Sequence, residues 1–571
     1  MRYIFSFKHP SRQLIDITFE ITNNEADSVL LQLPSWRPGR YELGNFAKNI
    51  RAFRVENGNG EPLYFEKQTK DSWLILANKT PVIKVIYEYY GADLNAGSTY
   101  LDAEQLYVNP VNCCVFVPER INEACEIELR VHDSCKIACD LPRGKNGKIL
   151  LADSFHRLAD APFIASPKLQ HHQFDESDHT FHLWFMGNVS PQWQRLENDF
   201  RDFSRDQIEM MGPLPGKEFH FIFQILPVFF YHGVEHTFST VCALGPGSTL
   251  FTTSFYNELL GVSSHELFHA WNVKTIRPSE MHPYDYTREN YSRLGWVYEG
   301  ITTYYGDQFL ARSGVFDLHE FLGTLNDKLK KHFSNYGRFN QSVSEASFDT
   351  WLDGYVPGIP HRKTSIYTEG SLCAFMLDML IRKHSNESYS LDELMRRLYA
   401  EANNDIPYSK EKILSILEQL ADFDFKDFYA TYIEGTEDYE PLLKDCFKRV
   451  GLELFADYPF SDAEHRLGFT LLESGGIVTV NLVAPGSPAE TAGLMTGDQL
   501  IACNGIRIKG NFQALSSGED EVTLFAFSKE NLNQYRLSNT GKLHFESRKV
   551  IPVASPTEDQ IKAHKNWIGK K

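Results

Sequence analysis

The chain has 571 residues, of which 42% are hydrophobic and 23% charged, which is enough for about three or four domains with large cores. Its net charge of −18 argues against nucleic acid as the main partner, because phosphate binding needs clustered Lys and Arg. No run of 18 apolar residues occurs, and "MRYIFSFKHPSRQ" contains no signal h-region, so we expect no membrane span and a cytoplasmic protein.

The first part of the chain has the pattern of a β domain. Short runs of alternating apolar and polar residues, such as "QLIDITFEIT", "VIKVIYEYYG" and "CEIELRVH", are separated by turn-forming stretches such as "NGNGEP". This pattern predicts a β-sandwich-like domain over residues 1–165.

The central part changes to longer helical patterns. A strand-like "FHFIFQIL" precedes stretches such as "FTTSFYNELLGVSSHELFHAWNV" and "EGSLCAFMLDMLIRKHS". In the last of these, Leu372, Phe375, Met376 and Met379 recur at helical spacing, which is more typical of a core than of a binding surface. We therefore expect a mainly helical domain over residues 166–455, and a multidomain α+β fold for the chain.

Short strands return near the C-terminus. The stretch "RLGFTLLESGGIVTVNLVAPGSPAETAGLMTGDQLIACNGIRI" lies in a predicted third domain, residues 456–550. The tail "SPTEDQIKAHKNWIGKK" predicts a capped helix that starts near Ser555, within a final segment of residues 551–571.

The segment "GVSSHELFHAWNVKTIRP" contains the pattern H-E-x-x-H. Two His residues four apart on a helix lie on one face, so His265 and His269 can bind one metal ion. Glu266 lies beside this pair and can take a proton from a water molecule at the metal. The nine Cys are scattered without C-x-x-C spacing, which predicts free thiols and gives little support to a Cys-based zinc site.

The motif works only if this segment is helical. Residues 264–275 contain neither Gly nor Pro, and Pro278 ends the pattern. Ser263 with Glu266 also fits an S-x-x-E capping box, which would occupy the proposed base. We expect a start near Thr253 or Ser254 instead, with the motif inside the helix.

A catalytic zinc site needs a third protein ligand. Glu299 lies in a second helix-forming stretch, "LGWVYEGITTYYGD", and a carboxylate would complete a His2Glu set. His282 and Asp285, in the loop-like "MHPYDY", are the alternatives. We rank Glu299 above them because a helix positions a ligand better than a loop does.

These residues resemble a known family. "HELFHAWNVKTIRP" together with "WVYEGITTYYGD" is similar to the glycyl aminopeptidase family of gluzincin metallopeptidases. The resemblance implies an N-terminal β domain, a thermolysin-like catalytic domain and a C-terminal PDZ domain, in that order. It also implies that His265, His269 and Glu299 bind one zinc ion per chain, and that Glu266 is the general base.

Two further stretches fit this resemblance. "YHGVEHTFST" resembles the G-x-M-E-N exopeptidase motif, with Gly233 and Glu235 in matching positions; there the Glu carboxylate holds the substrate's α-amine. We expect this stretch to form an edge strand. "SIYTEGSLCAFMLD" resembles the family's Y-x-x-G stretch, which implies that Tyr367 donates to the oxyanion of the transition state.

The resemblance therefore implies a zinc aminopeptidase that acts on peptides with a free N-terminus and prefers Gly or Ala there. In the PDZ-like segment, Arg466, Leu467, Gly468 and Phe469 occupy the carboxylate-binding loop, which implies a possible C-terminal peptide partner. Two alternatives remain: a zinc endopeptidase on the same site, and a PDZ-bearing peptide-binding scaffold with an inactive peptidase domain. The sequence leaves the physiological substrate, the oligomeric state and the PDZ ligand open.

Overall fold

The computed structural model describes residues 1–144, 146–356 and 358–569. The N-terminal part is rich in β-strands, as its alternating sequence predicts, and two short helices, α1 (Pro110–Cys113) and α2 (Phe155–Ala159), lie among them. The strands are β1 (Arg2–Ser6), β2 (Leu14–Thr22), β3 (Ser28–Gln32), β4 (Ile50–Asn57), β5 (Phe65–Lys67), β6 (Ser72–Leu76), β7 (Val82–Tyr90), β8 (Tyr100–Leu101), β9 (Leu106–Val108), β10 (Cys125–Leu129), β11 (Lys136–Ala138), β12 (Ile149–Ala152) and β13 (Phe163–Ser166).

Three sheets pack around one apolar core in this part. Their strand orders are β12-β10-β1-β2-β7-β4, β11-β13-β9-β8 and β3-β6-β5. Alternate side chains of β2 and β7 are buried, because period-two patterning places them on one face of the sheet. Tyr286 and Tyr298, from the central part, complete this core, so the two parts pack directly on each other.

The central part combines a five-stranded sheet with a set of helices. The strands β14 (Gln170–Glu176), β15 (His179–Gly187), β16 (Glu218–Ile225), β17 (Phe230–Glu235) and β18 (Ser239–Gly245) have the order β14-β15-β16-β18-β17, which places β17 at the edge. The helices are α3 (Trp193–Met211), α4 (Thr253–Phe268), α5 (Thr302–Arg312), α6 (Leu318–Phe333), α7 (Val343–Asp353), α8 (Thr368–His384), α9 (Leu391–Ala402), α10 (Lys410–Leu420), α11 (Phe425–Phe428) and α12 (Glu440–Arg449).

The patterns of the central part predict its elements well. Leu372, Phe375, Met376 and Met379 of α8 are each at most 2% exposed, which confirms that this stripe belongs to the core. A π-helical stretch, Trp296–Ile301, leads directly into α5. The structure is thus a multidomain α+β fold in which an N-terminal β-rich region precedes a helical region.

The C-terminal part leaves this body and returns to it. Its elements are β19 (Leu452–Asp457), α13 (Asp462–Leu467), β20 (Phe469–Ser474), β21 (Ile477–Val483), α14 (Pro488–Ala492), β22 (Gln499–Cys503), β23 (Ile506–Arg507), α15 (Phe512–Ser516), β24 (Glu521–Ser528), β25 (Asn531–Ser538), β26 (Ser547–Pro552) and α16 (Glu558–Ile568). Strands β19 and β26 pair with each other, and β20 to β25 form a separate sheet between them.

Helix α16 anchors the end of the chain to the central part. It begins at Glu558 after a Thr557 cap, slightly later than the predicted start near Ser555. Trp567 is buried, and its indole Nε1 donates to the Tyr304 hydroxyl of α5 at 2.9 Å. The last two residues of the predicted segment 551–571 lie outside the described residues.

Apolar burial, rather than covalent cross-linking, holds the described part of the chain together. All nine cysteines are free, as their spacing predicts. Separate apolar clusters form the cores of the N-terminal, central and C-terminal parts. None of the helices described here has both the length and the apolar character that a membrane crossing requires.

Candidate active site

The H-E-x-x-H motif lies at the end of α4. The helix starts at Thr253, as expected, so that Ser263 and Glu266 lie inside it and form no capping box. It is shorter than the predicted pattern over 264–275, because the chain leaves the helix at His269. Val273 there has a φ of 117°, a conformation that β-branched residues rarely adopt.

This early turn orients the second histidine. The His269 Nδ1 donates to the backbone carbonyl of Asn272 at 2.7 Å, which fixes a proton on Nδ1 and makes Nε2 the ring nitrogen that faces the site. The turn between residues 269 and 273 therefore directs His269 Nε2 toward the neighbouring side chains of the site.

Three side chains converge as a metal site requires. His265 Nε2 and His269 Nε2 are 3.0 Å apart, and they lie 3.7 Å and 3.3 Å from Glu299 Oε2. The two imidazole rings are nearly perpendicular, at 84°, and each turns its Nε2 toward the other and toward Glu299. A divalent ion about 2.0–2.2 Å from each of the three atoms fits this triangle.

Close helix packing places Glu299 beside the histidines. The π-helical stretch crosses α8 where two glycines meet: a Cβ on Gly300 would be 2.5 Å from the Gly370 carbonyl carbon. A Cβ on Gly306 would be 3.0 Å from the His265 Cα, so α5 also lies directly against α4. The Tyr41 hydroxyl, from the N-terminal part, donates to Glu299 Oε1 at 3.2 Å.

The alternative ligands lie outside this cluster. His282 Nε2 is 3.0 Å from Asp405 Oδ1. The Asp285 carboxylate accepts hydrogen bonds from Arg288 and Thr287.

The electrostatics of the cluster favour a cation. Burial would raise the pKa of Glu299, but His269 and His265 lower this pKa to about 2. Burial would likewise lower the pKa of His269, but Glu299 and Glu235 raise it to about 10. Burial lowers the pKa of His265 to about 4. The carboxylates of Glu299 and Glu235 beside the two imidazoles therefore favour a bound cation.

Glu266 is placed to act as a base. It is 5% exposed, and its Oε2 has no hydrogen-bond partner among the described residues. Burial raises the pKa of Glu266 well above its usual range, and the neighbouring Glu235 adds to this effect. The adjacent strand comes so close that a Cβ on Gly233 would be 2.7 Å from Glu266 Cδ.

Glu235 lies at the end of the edge strand β17, as expected. It is 4% exposed, and its Oε1 has no partner among the described residues. Carboxylate oxygens of Glu235 and Glu266 and a ring nitrogen of His269 all lie within 4.8 Å of one another. The pairing of β17 with the buried strand β18 thus brings Glu235 to the metal cluster.

Comparisons with known proteins agree with this geometry. The model of the M61 glycyl aminopeptidase family matches residues 258–373, and that of the peptidase M61 N-terminal domain matches residues 2–167. Over these two segments the chain is similar to the M61 peptidase family. The match to the catalytic part of that family indicates that the protein is a metalloaminopeptidase.

Solved structures show the extent of the similarity. An aminopeptidase N family protein from Idiomarina loihiensis is 25% identical, with all of both chains covered and a TM-score of 0.91. An M1 zinc metallopeptidase from Deinococcus radiodurans is 14% identical over 76% of this chain and 94% of its own, with a TM-score of 0.48, which is too distant to inform the site. No curated protein matches the chain.

In this metalloaminopeptidase, two tyrosines face the metal cluster. The Tyr367 ring, just before α8, has its centroid 6.5 Å from that of His265. Burial raises the pKa of Tyr367 well above its usual range, and the neighbouring Glu299 and Tyr355 add to this effect. Tyr355 also accepts a hydrogen bond from the Tyr41 backbone N–H at 3.1 Å.

The sequence analysis missed the contribution of the N-terminal part. The loop "SWRPGRYELGN" brings Arg37, Gly39 and Tyr41 to the site, and a Cβ on Gly39 would be 3.0 Å from Glu235 Cδ. The composition of this loop, which is rich in Pro, Gly and Arg within a domain of alternating strands, could have indicated a functional role. Tyr355, which follows α7 by two residues, was missed as well.

The Asp160 carboxylate connects two segments of the site by hydrogen bonds. One carboxylate oxygen accepts from Lys274 Nζ at 2.7 Å and lies 3.2 Å from His236 Nδ1. The other accepts from the backbone N–H and the hydroxyl of Thr237, at 2.9 Å and 2.6 Å. This buried network connects the residues after Glu235 to the turn after His269.

A second histidine cluster has the wrong geometry for a shared metal. His182, Glu218 and His220 lie on the sheet face toward the N-terminal part. The His182 and His220 rings are stacked, 4.3 Å apart at 17°, so their lone pairs run side by side and do not converge. The Trp184 indole donates to His220 Nδ1, which leaves the proton on Nε2.

Proposed function

We propose that this protein is a zinc-dependent aminopeptidase that removes small N-terminal residues, Gly or Ala, from peptides. The observation that carries this proposal is the position of Glu235, whose carboxylate lies within 4.8 Å of Glu266 and His269 at the end of an edge strand. An ammonium group bound there would place the first peptide bond of a substrate beside the metal cluster.

The donor set supports zinc as the metal. Two imidazoles and one carboxylate are a known catalytic zinc set that leaves a position open. His265, His269 and Glu299 would hold one ion per chain, and Tyr41 would orient Glu299 by its hydrogen bond. Bound zinc would lower the pKa of water to about 7 and polarise the substrate carbonyl.

The remaining chemistry belongs to residues of the chain. Glu266 would take a proton from the attacking water and return it to the leaving amine, a role for which its raised pKa suits it. The Tyr367 hydroxyl would donate to the oxyanion as negative charge develops. Gly233 would let the substrate backbone approach Glu266, since this position has no side chain.

Two observations support a preference for small N-terminal residues: the description of the matching family and the limited space beside Glu235. The family is described as glycyl aminopeptidases. The backbone at Gly39 lies against the Glu235 carboxylate, since even a Cβ there would be 3.0 Å from Glu235 Cδ. Space beside the bound amine is therefore limited from the side of the N-terminal part.

The test uses glycyl- and alanyl-anilides with free and acetylated N-termini. We expect release from free amines only, lost with a chelator, restored by zinc, and lost in Glu266→Gln. Equal cleavage of acetylated substrates would favour the zinc endopeptidase. Absence of both bound metal and turnover on a wider peptide library would favour the peptide-binding scaffold.

A PDZ identity for the C-terminal sheet, within residues 456–550, is part of the proposal. Its support is the sheet of β20 to β25 and the predicted loop around Gly468. Two amides of this loop are already bonded: the N–H of Gly468 donates to the Glu464 carbonyl at 2.9 Å, and that of Leu471 donates to the Glu464 carboxylate at 2.8 Å. A C-terminal peptide would have to displace Glu464 to add a strand here.

A further inference from the structure

Arg37 is a buried cation without a counter-ion. It is 6% exposed, and its Nη1 is buried with no hydrogen-bond partner in the described part of the chain. No carboxylate of the described residues forms an ion pair with its guanidinium. A buried charge is costly unless it is paired, so an unpaired guanidinium of this kind indicates a missing anion.

The surroundings hold this guanidinium in one place. A Cβ on Gly97 would overlap its Cζ, Nε and Nη2, so the guanidinium lies flat on the Gly97 backbone. The Gly97 carbonyl in turn accepts from Asn112 Nδ2 at 2.8 Å, which ties this backbone to the N-terminal core. The side chain is thus preorganised for binding, as sites for planar anions require.

Arg37 lies between a cavity and the catalytic residues. The cavity, of about 290 Å³, is lined by polar groups that include Arg37, Arg40, Lys48, Asn95, Thr99 and Asn112. On the other side, the chain two residues after Arg37 reaches the catalytic residues, since a Cβ on Gly39 would be 3.0 Å from Glu235 Cδ. Arg40 is already paired with Glu42, which leaves Arg37 as the buried cation available to a ligand.

We propose that Arg37 binds a carboxylate group of the substrate, while Glu235 holds its ammonium group. This proposal rests on the aminopeptidase function proposed above and specifies its substrate class: short peptides that carry a carboxylate near the scissile bond. Two sources share this chemistry, the C-terminal carboxylate of a dipeptide and an acidic side chain on the second residue of the substrate. Arginine suits either, since its planar fork binds carboxylates through two hydrogen bonds.

Two substrate pairs test the proposal on the unmodified enzyme. Gly-Ala against Gly-Ala-amide isolates the C-terminal carboxylate, and Gly-Asp-amide against Gly-Asn-amide isolates the side chain. We expect kcat/KM to favour the carboxylate in one pair by about tenfold to a hundredfold, as a charge-assisted hydrogen bond implies. The pair that shows the preference identifies the source of the carboxylate.

Variants assign the preference to Arg37. In Arg37→Gln the acid-to-amide ratio should fall to about one, and Arg37→Lys should retain part of it. Lys48→Gln, which removes the same charge from an exposed side chain at the cavity, is the matched control and should keep the ratio. If Arg37→Gln does not fold, Arg37→Lys decides, because it keeps the charge but loses the planar fork, and an undiminished ratio in Arg37→Lys would contradict the assignment.

Three results would overturn the proposal. The first is a ratio within twofold of one in both pairs, and the second is a preference that survives in Arg37→Gln. The third is an equal loss on acids and amides in Arg37→Gln, which would mean that Arg37 acts only on Glu235. If glycyl anilides are cleaved but the ratios are one, only the Arg37 assignment fails; if they are not cleaved, the aminopeptidase function fails first.

Discussion

Replacing Gly233 by alanine tests how closely strand β17 packs against Glu266, the proposed general base. The new Cβ would be 2.7 Å from Glu266 Cδ and 2.8 Å from Val262 Cγ2. Since carbon atoms pack at about 3.5–4.0 Å, Glu266 must move by roughly 1 Å. A displacement of this size costs about a hundredfold in rate, or roughly 2.7 kcal/mol of transition-state stabilisation.

The assay separates this effect from unfolding and from metal loss. We expect kcat on a glycyl anilide to fall about a hundredfold, with zinc content and thermal unfolding retained, because the ligands His265, His269 and Glu299 are untouched. Gly261→Ala is the matched control: it lies in the same helix as Glu266, and its Cβ would meet nothing within 4 Å. That control should gain about 1 kcal/mol of stability and keep its activity. Activity of Gly233→Ala within threefold of the unmodified enzyme would refute the packing argument.

Two further changes test the contribution of the N-terminal part. Tyr41→Phe removes the hydrogen bond to Glu299 Oε1, so zinc affinity should fall about 10- to 100-fold in a competition with a chromophoric chelator, and an unchanged affinity would contradict this role. Asp160→Asn leaves the Lys274 ammonium, whose side chain is 1% exposed, without its charge partner. The free energy of unfolding, measured by denaturant titration, should fall by about 3–5 kcal/mol. A fall of less than about 1 kcal/mol would contradict the proposed role of this ion pair. Burial would raise the pKa of Asp160, but Lys274 and His236 lower it well below its usual range. Its contribution to stability is therefore complete above the unfolded value of about 4 and is lost as pH falls below it, and Asp160→Asn should weaken this acid dependence.

Local patterns in the sequence predicted much of the fold because burial follows periodicity. Alternation located β2 and β7, and helical spacing located α4 and the buried stripe of α8. The end of α4 was predicted too late, since residues 270–275 contain no helix-breaking residue. The turn depends instead on the hydrogen bond from His269 to the Asn272 carbonyl and on the φ of Val273, which no single-residue preference reveals.

The sequence predicted the site residues that belong to short motifs. It did not predict the contacts between residues that are far apart along the chain. The structure brings together His265, Glu266, His269 and Glu299, and the roles of these residues remain proposals. Tyr41 and Glu299 are 258 residues apart in the chain, so nothing in either motif indicates their hydrogen bond. The same holds for Arg37, whose lack of a counter-ion becomes evident only when the N-terminal loop lies against β17.

Anomalous diffraction at the zinc absorption edge, from crystals of the purified and active enzyme, tests the central claim most directly. We predict one strong peak per chain, about 2.0–2.2 Å from His265 Nε2, His269 Nε2 and a Glu299 oxygen. Active crystals with no peak at this position, or with the peak at the stacked His182 and His220 rings instead, would contradict it.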